Sequence, residues 1–164
     1  MSMYTGLSCL ILYSVLCGFV NTADISTCHN GWLAFEGSCY LFGETAAHFT
    51  EAEDFCRKHH NSHLVHIDSD LENKFIKDHL RDHQTHSWWM GLTDQDIEGV
   101  WKWFDTDTVA AFTDWDPSQP DPSEEDCGVF WLAFDFKWGD VPCTSSFPPI
   151  CEMGSLENPG VIGK

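Results

Sequence analysis

The sequence predicts an α+β domain in which two helices precede a series of short strands, with a long acidic loop set among the strands. Three observations carry this reading. Two helix-start signals, one at Thr50 and one at Ser69, lie in the first half of the chain. Short apolar runs bounded by Gly, Pro, Asn and Asp fill the second half. Six cysteines, Cys28, Cys39, Cys56, Cys127, Cys143 and Cys151, tie the halves together on paper. An even count in an exported chain reads as three disulfides, although spacing alone does not choose the pairing.

In chain order, Leu7–Val20 is an apolar run followed by small and polar residues. It reads as a secretory signal peptide over 1–23, cleaved after Ala23 and taking Cys9 and Cys17 with it. The run is shorter than the roughly 20 residues a spanning helix needs. The mature protein is therefore expected to be secreted, soluble and extracellular. Cys28 to Phe42 alternates around a glycine turn and predicts a hairpin. Thr50 and Glu53 form a capping-box pattern for a helix over Thr50–His60, stopped near Asn61. His63–Ile67 is a short strand. Ser69 and Glu72 form a second capping-box pattern, and Leu71, Phe75, Ile76 and Leu80 mark one helical face. Trp88–Leu92 is strand-like, and Glu98–Asp105 places Trp101 and Trp103 on one side of a strand. From Asp105 to Asp126 no periodicity survives, and long loops inside compact domains usually serve a function. Cys127 to Cys143 then reads as two strands joined near Ala133–Phe136. The end, 153–164, reads as a flexible tail.

Composition narrows the function classes. The 164 residues suit one domain, and no internal repeat suggests a second. The formal charge is -18, from 26 acidic against 8 basic residues. Such a surface excludes nucleic acid and anionic lipid as partners and suits cations or mineral. With 8 Trp and 12 Phe the chain can still build a core, unlike a disordered acidic tail. The tryptophans and phenylalanines are assigned to that core rather than to a binding face. No nucleophile elbow or phosphate loop is present, and the cysteines are consumed by disulfides, so the chain is not expected to be an enzyme.

The stretches "CHNGWLAFEGSC", "AEDFC", "HLVHI", "WMGL", "EGVWKW", "FTDWDPSQPD", "EDC", "WGDVPC" and "ICE" occur in one order. Each is weak alone; together they make the chain resemble the C-type lectin-like domain over 28–152, and within it the small secreted lectins of invertebrates, perlucin-like proteins included. The resemblance implies two helices with small antiparallel sheets and a long calcium-binding loop. It also implies the pairing Cys28–Cys39, Cys56–Cys151 and Cys127–Cys143.

The resemblance further implies a role for the acids crowded into "QPDPSEEDC", Gln119 to Cys127. Calcium takes six to eight oxygens. Gln119, Asp121, Glu125 and Asp140 match the family's principal calcium and carbohydrate site, with a cis bond before Pro120. Asp94, Glu98 and Asp126, helped by Glu125, match its second calcium site. Gln-Pro-Asp in this family goes with galactose-type glycans. Three features depart from the pattern. Gly139 stands where an asparagine usually supplies one oxygen to calcium and one donor to sugar. Pro122 stands where another acid often lies, and "PSEE" after Asp121 carries no aromatic residue for a sugar to stack on, the nearby Trp115 and Trp138 being assigned to the packed interior. Two partner classes follow: galactose-type glycans, bound in recognition of foreign or self surfaces, or a mineral or protein surface met by the acidic face. With no cysteine left over, an oligomer would not be covalent. The nine histidines include His79 and His83 at helical i, i+4 spacing, a metal-sharing arrangement read here as ordinary surface and half-buried imidazoles.

Overall fold

The computed structural model describes residues 28–83, 86–121 and 124–156. The signal-peptide segment, Pro122 and the end from 157 onward lie outside the described residues.

The hairpin forms as expected, with β1 (Leu33–Phe35) pairing β2 (Ser38–Phe42) around Glu36 and Gly37, both at positive φ. Helix α1 spans Phe49–Lys58. Its cap is not the Thr50–Glu53 pair: the Glu51 carboxylate accepts the His48 backbone N–H at 3.2 Å. Glu53 has turned inward. It accepts the Leu64 N–H at 2.7 Å and Arg57 Nε at 2.6 Å. Leu64 lies in β3 (His63–Leu64), on the edge of its sheet, and a buried edge N–H must find an acceptor. That tertiary demand outweighs the local capping pattern.

Helix α2 spans Asp70–His83. Its start is half a capping box. Ser69 Oγ accepts the Glu72 N–H at 3.1 Å, while the Glu72 carboxylate accepts the Asp68 N–H at 2.9 Å and the Tyr40 hydroxyl at 2.7 Å. The buried face is Glu72, Asn73, Ile76, Lys77 and Leu80, so Leu71, expected to face inward, is 55% exposed. The polar members of that face are satisfied by partners far away in sequence, which is why the apolar pattern alone pointed one residue off.

With β9 (Ile150–Gly154), the first sheet takes the order β1-β2-β9-β3. Met153 and Gly154, read from sequence as the start of the tail, pair with Cys39 and Ser38. The strands of the second sheet are β4 (Trp88–Thr93), β5 (Lys102–Trp103), β6 (Thr108–Val109), β7 (Cys127–Trp131) and β8 (Lys137–Val141). Their order is β6-β5-β4-β7-β8. Strand β5 is shorter than the sequence suggested, though Trp101 and Trp103 are both buried. All named pairings are antiparallel. Gly91 lets the two sheets approach: a Cβ there would lie 2.7 Å from the Leu64 carbonyl oxygen.

The three disulfides are Cys28–Cys39, Cys56–Cys151 and Cys127–Cys143. Cys56–Cys151 ties α1 to β9 across 95 residues, and a bridge of that kind stabilises by about 2–5 kcal/mol. Two apolar clusters flank the second sheet. One gathers Trp101, Trp103, Phe130, Phe136 and Trp138 with Ile76 and Leu80 of α2. The other gathers Phe49, Trp89 and Val129 around Cys56–Cys151. Trp89 and Trp138 are fully buried, each removing roughly 150–250 Å² from water. The second sheet is thus a rigid floor under the long loop.

Candidate metal centre

The site is built on β8. Strand alternation sends Trp138 and Asp140 to one side and Gly139 to the other. Trp138 is fixed in the core, its indole N–H donating to Asn73 Oδ1 at 3.1 Å. Its backbone then grips the long loop. The Trp138 N–H donates to the Asp114 carbonyl at 2.9 Å, and the Asp116 N–H donates to the Trp138 carbonyl at 2.9 Å. Asp116 Oδ1 accepts the Ser118 N–H at 3.0 Å and its hydroxyl at 2.7 Å, closing a short aspartate turn. The chain is thereby returned to β8 at Gln119, where the Gln119–Pro120 bond is cis, as the resemblance implied.

Gln119 Oε1 accepts the Asp140 N–H at 3.3 Å, and the Asp121 N–H donates to Asp140 Oδ1 at 3.4 Å. Carboxylate oxygens of Asp121, Glu125 and Asp140 lie within 4.8 Å of one another. The four residues of the expected principal site are therefore brought to one place. Asp140 is 0% exposed. Two oxygens, Asp140 Oδ2 and Asp121 Oδ1, are buried without a hydrogen-bond partner. Burial pushes the Asp140 carboxyl up to about 6; backbone hydrogen bonds oppose this, and the charges of Asp121 and Glu125 reinforce it. Clustered carboxylates with orphaned oxygens are what a divalent cation relieves, and an all-oxygen donor set fits a hard ion such as calcium.

The loop has a second anchor that sequence reasoning missed. Asp114 Oδ2 accepts from Lys77 Nζ at 2.7 Å and from Asn73 Nδ2 at 2.8 Å, and Oδ1 accepts from Lys137 Nζ at 3.0 Å. Burial alone would raise the Asp114 carboxyl, but these three hydrogen bonds together hold it below the usual range. The only trace in the sequence is Lys137 beside Trp138 and the aspartates flanking Trp115; Lys77 and Asn73 belong to α2 and carry no signal.

Gly139 has a structural reason. A Cβ at this position would lie 2.3 Å from Trp131 Cε3. The Trp131 ring occupies the space that a larger residue at 139 would need. Trp115 packs edge-on against Trp101 and Trp138, at 4.7 and 5.8 Å between centroids, as part of the core boundary.

The second expected set is looser. Asp94 is 4% exposed, with Oδ2 accepting the Gly99 N–H at 2.8 Å and Oδ1 buried without a partner. Burial, with help from the Asp126 charge, raises its carboxyl. The Asp94 N–H donates to the Asp126 carbonyl at 3.2 Å, so these two residues are neighbours. Glu98 is exposed on the turn beside them. Among the described residues, Asp94, Glu98 and Asp126 do not gather within the distance that unites the first set. His79 and His83 sit with rings 4.6 Å apart, the His83 Nδ1–H donating to the His79 carbonyl of the same helix at 2.9 Å.

Fold and site together define a C-type lectin domain. Residues 45–153 match the Lectin C-type domain family, and the chain belongs to that family, a class of binding domains rather than enzymes. Over 140 residues it is 36% identical to asialoglycoprotein receptor 1 of Mus musculus, covering 80% of this chain and 46% of that protein. Over 142 residues it is 30% identical to a perlucin-like protein of Mytilus galloprovincialis, covering 85% of this chain and 90% of that one. The chain spans about half the length of asialoglycoprotein receptor 1 and of the C-type lectin domain family 10 member A that it matches. Among solved structures, a mouse scavenger receptor C-type lectin carbohydrate-recognition domain superposes with a TM-score of 0.70 at 33% identity, covering 79% of this chain and 100% of that one. A calcium-independent type II antifreeze protein superposes with a TM-score of 0.71 at 28% identity, covering 79% and 96%.

Proposed function

We propose that this chain is a secreted, calcium-dependent lectin whose ion and sugar site is Gln119, Asp121, Glu125 and Asp140, with galactose-type glycans as its ligands. The observation that carries the reading is the meeting of three carboxylates around two buried oxygens that have no partner. Three disulfides suit an extracellular setting. Calcium, when bound, supplies coordination positions for two neighbouring sugar hydroxyls. The carboxylates of Asp121 and Glu125 accept hydrogen bonds from those hydroxyls, and the Gln119 amide NH2 donates one. The order of donors and acceptors selects the hydroxyl geometry, and Gln-Pro-Asp goes with the galactose type.

Gly139 removes one donor, and the sequence after Asp121 supplies no stacking ring, while Trp115 packs against Trp101 and Trp138. A hydrogen bond to a charged partner is worth about 1.5–3 kcal/mol, so one sugar unit should bind about ten- to a hundredfold more weakly than in a complete site. Useful avidity then requires several sites on one particle. Asp94, Glu98 and Asp126 enter the same proposal as a weaker second ion site.

The test is retention on immobilised galactose with calcium, then with a chelator. Retention that the chelator releases supports the reading. Passage straight through on both galactose and mannose contradicts it. A second reading, an acidic C-type-lectin-fold protein that binds mineral or protein, is favoured by the Trp131 ring that closes the Gly139 position and by the charge of -18.

A further inference from the structure

We propose that His63, His66 and Asp105 form a separate metal site for a zinc-like, first-row divalent cation. His63 lies in β3 of the first sheet, and His66 follows two residues after the strand ends. Asp105 follows β5 of the second sheet. The three come together where the sheets abut, with Trp103 stacked on His66 at 4.7 Å between centroids. One ligand atom from each of the three lies within 4.8 Å of the others. Among the described residues, the only other such group is the carboxylate set at Asp140.

The His63 tautomer suits metal binding. The Leu64 carbonyl lies 2.9 Å from His63 Nδ1 and can only accept, so that nitrogen carries the proton and Nε2 is left with its lone pair. A metal-binding histidine is commonly oriented in this way through its other nitrogen. His66 Nε2 lies 2.5 Å from Asp105 Oδ1. The Nε2–H donates to that carboxylate, and a metal ion takes the proton's position when the ring proton moves to Nδ1. The two imidazoles lie 4.3 Å apart, which disfavours charging both by protonation. Burial, then His63, holds the His66 imidazole below its usual range.

The surroundings favour a cation. The His66 and Asp105 side chains are 15% and 11% exposed, shielded yet reachable. Asp68 and Glu152 also act on these histidines. The opposing charge is Arg57, whose Nη2 lies 3.7 Å from Asp105 Oδ2, but its Nε is already bound by Glu53. Two imidazole nitrogens and one carboxylate oxygen suit zinc, cobalt, nickel or copper and not calcium, which asks for six to eight oxygens. Three protein ligands leave a position for water. His59 and His83 each donate to a backbone carbonyl in the same way, but among the described residues neither joins a group of three ligands.

The experiment is titration of the full chain with Co²⁺ in saturating calcium, followed by displacement with Zn²⁺. One equivalent of cobalt with visible d–d bands is expected, bleached by zinc. His63→Gln or His66→Gln should weaken binding at least about tenfold. Asp140→Asn and the pair His79→Gln, His83→Gln should leave it unchanged. If His66→Gln fails to fold, the half-buried His63→Gln still decides. Parental affinity in His63→Gln, loss in the His79, His83 pair, loss in Asp140→Asn, or absence of cobalt binding at millimolar ion would each overturn the proposal.

Discussion

Asp114 and Asp140 both bear on the long loop, yet they meet opposite surroundings. Asp114 is held by Lys77, Lys137 and Asn73, and its carboxyl lies below the usual range. Asp140 is fully buried, faces Asp121 and Glu125, and is pushed up to about 6. The chain brings its own cations to the first and none to the second. Charge of one sign is therefore structural at Asp114 and, on the proposed function, ligand-seeking at Asp140.

The largest expected effect separates the two by deletion. Asp114→Ala strands two lysines and an amide, and should cost about 3 kcal/mol in urea unfolding, with or without calcium. Asp140→Asn in chelator should leave stability unchanged or raise it, because the amide keeps an acceptor for the Asp121 N–H while the buried charge is gone. Equal losses for both variants in chelator would dissolve the distinction.

The pH dependences should run in opposite directions. Asp114 has a depressed carboxyl, so its stabilising contribution is present above the unfolded value and is lost as pH falls through the folded one. Asp140 is raised from 3.8 to about 6, so its contribution is present below the unfolded value and is lost as pH rises through that window. In chelator, melts of Asp140→Asn should lack a decline between about pH 4 and 6 that the parent shows, on the order of 3 kcal/mol. Calcium should remove that decline, because the ion binds the ionised carboxylate. A parent and variant with identical profiles would contradict the assignment.

Gly139 sharpens the comparison further. Gly139→Asn alone drives a Cβ into the Trp131 ring and should destabilise by about 1–3 kcal/mol in a thermal melt. Combined with Trp131→Ala, the added amide should bind calcium more tightly than Trp131→Ala alone, read by calorimetry. A Gly139→Asn single variant as stable as the parent would show that the ring yields freely. The smallest effect is expected at the exposed Glu98: Glu98→Gln should lower only a weak second calcium equivalent and change stability by less than about 0.5 kcal/mol.

Much of this was legible in the sequence because the signals were local or ordered along the chain. The paired cysteines, the second helix start at Ser69 and the Gln119 to Glu125 acids are of this kind, and the resemblance arranged them. What was not legible depends on distant partners. Glu53 looks like a cap until Leu64 presents a buried N–H. Asn73 and Lys77 look like solvent-facing residues until Trp138 and Asp114 meet them. Leu71 looks like core because those polar residues occupy the true inner face. The fit between Gly139 and Trp131 joins two strands across a turn, and no spacing rule announces it.

The most direct test of the central claim is a thermal melt with and without calcium, on the parent and on Asp140→Asn. The account predicts that calcium raises the melting temperature of the parent, and that Asp140→Asn shows no such rise. An equal calcium-dependent rise in both proteins would place the ion elsewhere and contradict the account.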